Sequence, residues 1–540
     1  MDIMMNKLAP WQKTTLTIAI WIVIAILFSY AYTQSPLYEG NQNTKFLHGL
    51  AQAGVGNLQD DWLANTVDPL PVFSGLVSLT ARINPNLFYL EYCIMFGIYV
   101  FSLWGILTHV FRAEQNLIKK SLFLGLIFLY HARYILIGVN RRLGLDLSYL
   151  HNGVAQQYLL GLEFQTNVFG VLLLLSIYLF RRRRYMLAMV LVGLAAIVHP
   201  AYLFSSALLT IAYCSILLWE NLRASVEDNQ LSPKAIWVSA RQPVLMGIIG
   251  LVLVLPVIIY NQTALAATSP ETYKQAMHLL VFERIPHHSL PQVWLGASAY
   301  LQIGLILGGI FLARKSRLGA VMLVMFSGAT VFTIIQMITG SLLLAAIAPW
   351  RVSVLLVPLG TAIILTAAVS LVVDLLHLDQ GWYQPVMIGG VLLLIAFLAY
   401  KGYMQQQFYG TSLNRREIVA MMDYVRDTKQ PRDLYMIPPK EAELNDFRLY
   451  IEAPTFINWK SHPYKDTDLL EWHRRVETAS AFYDAAESDQ EIACQLLEEI
   501  ESEYGVTHVV VKGKDAVLDC PFVTAKYAEP KYSVFARVRP

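Results

Sequence analysis

Apolar runs of bilayer length fill the first four hundred residues of this chain, and they restrict what it can fold into more than any other feature. A helix needs about 20 apolar residues to cross ~30 Å of hydrocarbon. Backbone groups in lipid must be bonded within the segment, so runs of this kind read as spanning helices. Candidate spans cover residues 14–32, 87–111, 121–139, 168–180, 185–198, 202–219, 244–260, 298–313, 318–338, 352–375 and 385–400, about eleven in all. Two of them, 168–180 and 185–198, are short, and the second runs into His199-Pro200, which reads as a turn or kink. The run from Leu16 to Ala31 has no small-residue cleavage site after it, so it reads as a retained first span.

Composition divides the chain in two. Hydrophobic residues make up 56% and charged residues 15%, with a mean hydropathy of +0.46, well on the apolar side of a soluble domain. The charges are sparse before Lys401 and dense after Arg415. Two solvents explain this best: a transmembrane domain over 1–405 and a soluble domain over 406–540. The net charge of +2 and the lack of a basic tract with interleaved aromatics give no sign of a nucleic-acid partner.

Basic residues orient the spans. Arg181 to Arg184 follow the fourth span; Arg314, Lys315 and Arg317 follow the eighth; Arg112, Lys119 and Lys120 follow the second; Lys7 and Lys13 precede the first. All fall on one side, which marks the cytoplasm, puts the N-terminus inside and, with an odd count, the C-terminal domain outside. The expected location is a bacterial cytoplasmic membrane. Three long loops, 33–86, 140–167 and 261–297, then share the outer face with the C-terminal domain. They are rich in Trp, Tyr, Pro and His, and long loops tend to carry function.

Within the C-terminal domain, Ile418, Met421, Met422 and Val425 have helical spacing over 414–429. Strands are expected at 433–437, once or twice within 447–459, at 507–512 and at 533–538, with amphipathic helices at 468–483 and 489–504. The alternation predicts a small α/β domain. No GxGxxG or P-loop supports nucleotide binding. The four cysteines have no metal spacing. Cys93 and Cys214 lie in apolar runs, and Cys494 and Cys520 are expected as free thiols unless an oxidising compartment and proximity pair them.

The first loop is the most informative stretch. Glu39 lies just past the first span, in Tyr38-Glu39-Gly40-Asn41. A helical segment covers 43–53, then come Asp60-Asp61-Trp62 and Asp68-Pro69-Leu70-Pro71. This order resembles the GT-C glycosyltransferases, the polytopic enzymes that use lipid-phosphate-linked sugars. Lipid A aminoarabinose transferases and protein O-mannosyltransferases share its layout: an acidic residue soon after the first span, a short helix, an Asp-Trp turn and a proline stretch. Tyr38-Glu39-Gly40 stands where those families show an Asp-Glu pair, so Gly40 replaces one acid. The patterns 153–161, 284–288 and 447–460 also resemble a group of bacterial, largely cyanobacterial, membrane proteins.

The resemblance implies a GT-C-like fold and transfer of a sugar from a polyprenyl-phosphate donor to a glycan, lipid or protein acceptor. Such transfer needs a base for the acceptor proton. Glu39 is the first candidate, with Asp61 and Asp60 behind it. The departing phosphate needs positive charge. Arg351, in Pro349-Trp350-Arg351, and Arg284, in Glu283-Arg284-Ile285-Pro286-His287-His288, are the candidates, although an interfacial arginine can also merely snorkel. Asn41, Trp62, Asp68, His151, Gln157, His287 and His288 are candidate substrate contacts. Adjacent histidines do not make a metal site by spacing; some GT-C enzymes hold a divalent cation on carboxylates, so that cofactor stays open. Trp459, Tyr464 and Trp472 suit stacking on sugar rings but equally suit a domain core. Two other classes compete: a transporter or lipid flippase, which would favour internal repeats and mid-span charges, and a non-catalytic scaffold with a soluble sensor domain.

Overall fold

The computed structural model describes residues 9–227, 232–408, 413–513 and 518–538. Lys7, one of the orienting basic residues, lies outside them. The chain is mostly helical and divides into two compact units. The first contains 1–34, 89–258 and 278–407; the second contains 35–88, 259–277 and 408–540.

The first unit holds the membrane helices. Among the described residues, seven helices are long and apolar enough to cross a bilayer: Pro10–Tyr32, Leu87–Val110, Pro200–Glu227, Ile236–Ala264, Arg317–Thr339, Leu342–Leu375 and Tyr383–Gln407. Leu117–His131 and Arg133–Leu143 make an eighth if read as one span bent by 55°. The remaining expected spans are helices too, Thr166–Arg181, Tyr185–Val198 and Ala297–Ala313, but each is under 18 residues. Of the about eleven expected spans, seven or eight among the described residues have the length and composition of a crossing helix. Apolarity alone does not measure length, and His199-Pro200 cuts one run at a 3-10 turn, Pro200–Tyr202.

Small residues set the packing of one helix pair. A Cβ on Gly309, in Ala297–Ala313, would lie 2.5 Å from Gly360 Cα in Ser353–Leu375. Only glycine allows backbones that near, and dispersion between close backbones drives helix pairing where lipid offers no hydrophobic gain. The 140–167 loop is folded into the same unit. Gln302 Nε2 donates to Asn152 O at 2.9 Å and Gly153 O at 3.1 Å, and Val154 N donates to Ser353 Oγ at 2.8 Å. These bonds satisfy backbone groups that lipid could not.

The second unit carries a four-stranded sheet in the order β1-β2-β4-β3, with β1 at Tyr435–Met436, β2 at His508–Lys512, β3 at Val523–Ala528 and β4 at Tyr532–Arg537. β1 pairs parallel with β2; β4 runs antiparallel to both its neighbours. Ile418, Met421, Met422 and Val425, on the Leu413–Thr428 helix, are buried in a core with Tyr435, Ile437, Val510 and Val534. The helical spacing read from the sequence is thus the face that packs on the sheet. Two expectations fail here. The strands expected within 447–459 are instead a short helix, Phe447–Ile451, with a single bridge from Thr455 to Tyr435. The pairing edge β1 offers is only two residues long, so a full strand has little to pair with. Val523–Ala528 was not expected at all, since its polar face disguises it. Cys494 and Cys520 form a disulfide, against the expectation of free thiols: Cys494 lies on the Gln490–Tyr504 helix, Cys520 lies just before β3, and their Cα atoms are 5.4 Å apart.

Candidate functional site

In the second unit, three separate chain stretches are fastened to each other by acidic side chains. Asp61, expected as a catalytic candidate, is wholly buried and so is Arg448, which lies 2.8 Å from it, Nε to Oδ2. Asp61 Oδ1 accepts from the amides of Leu63 and Ala64 at 2.9 and 3.4 Å, and Oδ2 accepts from Thr455 N at 2.9 Å. Asp466 accepts from Thr268 N at 2.7 Å and Thr268 Oγ1 at 2.9 Å; these bonds hold its carboxyl below the usual range against the opposing pull of burial. Tyr260 donates to Asp68 O at 2.6 Å. Gly56 has φ +52°, and a Cβ there would strike Glu452, whose carbonyl accepts from Asn57 N at 2.9 Å. Glycine suits both demands.

Glu39 is buried in a turn formed by two left-handed residues, Tyr38 at φ 70° and Gly40 at φ 58°. Gly40 N donates to Asp446 Oδ1 at 3.1 Å. A second carboxylate therefore stands beside the Glu39 turn, where the sequence offers only Gly40. Asp446 was missed because it lies some four hundred residues away, just before the Phe447–Ile451 helix. Asn41 begins the short Gln42–Lys45 helix. Asp60 is exposed at the end of a 3-10 turn. Trp62 is half-buried, with the Arg475 guanidinium 4.2 Å from its ring centre, a cation–π contact.

Asp68 lines a small cleft with Thr44, Lys45, His48, His462 and Tyr464. Asp68 Oδ1 accepts from Leu70 N at 2.8 Å, while Oδ2 is buried without a hydrogen-bond partner among the described residues. Lys45 Nζ donates to Tyr464 OH at 2.8 Å. Trp472 is core instead: it is wholly buried, donates to Asn458 O at 3.1 Å and packs on Trp459 at 4.9 Å between ring centres.

In the first unit, the charges of Arg284 and Arg351 both act on the His288 imidazole. Arg284 ends a π-helical turn, Leu279–Arg284, a wide helical form frequent at functional sites. Arg351 sits on the 3-10 turn Pro349–Val352, after Ala348 at φ 52°. His288 follows in Pro286–Ser289, with His287 ring-to-ring at 4.1 Å. Burial first, then the charge on His287, with Arg351 and Arg284 behind, push the His288 imidazole down to about 3. It is neutral at pH 7, and its Nδ1–H donates to Ala155 O at 2.7 Å.

His151 and Gln157 do not join that group through any bond seen here. His151 is buried with its ring 4.7 Å from His131, and burial pushes it down to about 4. Both polar atoms of the Gln157 side chain are buried without a hydrogen-bond partner among the described residues. Among the described residues, no three His, Cys, Asp or Glu side chains gather as a metal-ligand set.

A family model described as a domain of unknown function (DUF6798) matches residues 416–479, within the C-terminal part. No curated protein matches the chain. Among solved structures it is similar to the crystal structure of the Archaeoglobus fulgidus oligosaccharyltransferase in complex with Zn and sulfate. Identity is 13% and the TM-score 0.42, over 91% of this chain and 68% of that one. A likeness that weak carries no argument for fold or activity.

Proposed function

We propose that the chain is a multi-pass membrane glycosyltransferase that moves a sugar from a polyprenyl-phosphate donor to an extracytoplasmic acceptor. The observation that carries the reading is that His288, buried and neutral, feels the charges of both Arg284 and Arg351 in the first unit. A lipid phosphate gains charge as it leaves, and two guanidinium groups are suited to hold it.

Glu39 is the proposed base. It takes the acceptor hydroxyl proton as the acceptor oxygen bonds to the sugar C1. The bond from C1 to the phosphate oxygen breaks, and its electron pair leaves with the polyprenyl phosphate. Glu39 is buried, and the Asp446 carboxylate accepts from the amide of the next residue. Arg284 and Arg351 are the proposed phosphate ligands. Asp60 and Asp61 are secondary candidates as bases, and Asn41, Trp62, Asp68, His151, Gln157, His287 and His288 remain proposed substrate contacts. The disulfide in the second unit supports an extracytoplasmic placement, because disulfides persist in oxidising compartments.

The test is sugar transfer from a labelled polyprenyl-phosphate sugar in membranes carrying the full chain. Glu39→Gln and Arg351→Gln are expected to lower transfer on the order of 10²-fold or more at unchanged protein level. Full transfer by both variants would overturn the reading. Solute uptake into proteoliposomes without any sugar transfer would do so in favour of a transporter.

A further inference from the structure

The arginine run after the Val171–Arg181 helix serves orientation in the sequence, but the structure gives it more than that. Arg181, Arg182 and Arg183 line a cavity of about 480 Å³ together with His109 and Arg317, all within the first unit. His109 comes from the last turn of Leu87–Val110, Arg181 from the last turn of Val171–Arg181, and Arg317 from the first residue of Arg317–Thr339.

The acids nearby do not balance this charge. Glu114 is shared by Arg182, at 2.9 Å, and His109, at 3.2 Å. Glu220 is held at both oxygens by Arg317, Nε to Oε1 at 2.9 Å and Nη2 to Oε2 at 2.5 Å, while Arg317 Nη1 donates to Tyr185 OH at 2.9 Å. Arg181 has no such partner: its Nε and Nη1 are buried and make no hydrogen bond among the described residues. A buried guanidinium left this way is costly, and a phosphate meets its fork geometry with two parallel bonds.

Orientation does not require this arrangement. Topology is set by charge beside the membrane, which the exposed Arg182, Arg183 and Arg184 supply. Arg181 is instead withdrawn into a cavity wall. The level of the cavity favours a lipid over a free anion. It lies where three apolar helices end, and Trp219, next to Glu220, is 70% exposed, as an interfacial aromatic is.

We infer that this cavity binds the phosphate of an anionic membrane lipid, with Arg181 and Arg183 as its principal ligands. The site is separate from the Arg284–Arg351 group and does not depend on the proposed transferase reading. It predicts that the chain keeps tightly bound anionic lipid through purification.

The test uses the delipidated full chain in neutral detergent. Phosphatidylglycerol, phosphatidylcholine and inorganic phosphate are titrated separately, with the thermal midpoint and native mass spectra as readouts. Phosphatidylglycerol is expected to raise the midpoint saturably and to appear bound at unit stoichiometry, and phosphatidylcholine to do neither. Arg181→Gln should weaken phosphatidylglycerol binding by about tenfold or more, the loss expected when a charge-assisted pair is removed. Arg183→Gln, on the surface, should weaken it too and keeps the test open if Arg181→Gln fails to fold. Arg223→Gln alters an exposed arginine paired with Glu227 and should leave binding unchanged. Equal response to phosphatidylcholine, or to inorganic phosphate alone, would overturn the lipid assignment. So would undiminished phosphatidylglycerol binding by both arginine variants.

Discussion

Replacing Asp61 with asparagine keeps the shape of the side chain and removes its charge, which makes it the sharpest probe of how the second unit is held. Asp61 and Arg448 are both fully excluded from water and 2.8 Å apart. Asparagine can keep one oxygen for the Leu63 and Ala64 amides. Its NH₂ then faces Thr455 N, donor against donor, where a carboxylate oxygen accepted at 2.9 Å, and no longer supplies a charge 2.8 Å from Arg448 Nε. The Arg448 charge remains buried without its counter-ion. Breaking one side of such a pair costs about 3–5 kcal/mol. For a unit of about 200 residues, this lowers the melting midpoint by roughly 6–20 °C. Arg448→Met should cost less, because the Asp61 carboxylate keeps three amide donors. The double variant leaves no buried charge and should fall short of the sum of the singles by about 1–3 kcal/mol. The assay is thermal unfolding of the full chain in detergent, followed through the emission shift of the tryptophans, of which Trp472 is wholly buried in this unit. A midpoint for Asp61→Asn within about 2 °C of the parent, or strict additivity in the double, would refute the reasoning. Loss of sugar transfer at an unchanged midpoint would assign Asp61 to chemistry instead of to the fold.

Three further outcomes are expected. His288 ionises near 3 in the folded chain against 6.5 when free, so its contribution is intact above pH 6.5 and is lost as pH falls toward 3. That loss has a slope of about 1.4 kcal/mol per pH unit, and His288→Gln should remove it when midpoints at pH 7 and pH 4 are compared with the parent's. Cys494→Ser opens a bridge across a sequence separation of 26 and should cost about 3 kcal/mol; thiol alkylation of the denatured, unreduced parent should find Cys93 and Cys214 only. Gly309→Leu should separate the Ala297–Ala313 and Ser353–Leu375 helices and lower the midpoint. Gly304→Leu, on the same helix with open space at its Cβ, should not, and equal effects would count against the close approach.

Glu39 shows how the sequence and the structure divide the work on the candidate site. Its acidity and its place after the first span are sequence facts, and they drew attention to the loop. That Asp446 stands at the next residue's amide could not be read there, since no local periodicity links two residues so far apart. The arginines divide the same way. Arg284 and Arg351 are legible as basic residues in aromatic, proline-rich turns, but that both charges act on His288 depends on how separate helices end. Arg448 lay inside a noticed stretch, 447–460, yet its partner Asp61 was read as a catalytic candidate, because an acid's burial is not a property of its neighbours in sequence.

The chain by itself determined its solvents. Apolar runs must be helical in lipid, and polar stretches with mixed spacing must fold in water, because each segment carries that cost alone. It also determined the buried face of the Leu413–Thr428 helix, since spacing of three and four is a local property. Only the tertiary structure decided how many helices are long enough to span, that Cys494 reaches Cys520, which acids pair with which bases, and that Arg181 Nε and Nη1 are buried while Arg182 to Arg184 are exposed. Those outcomes depend on distances across the fold, and electrostatic and hydrogen-bond energies follow distance and burial, not position along the chain.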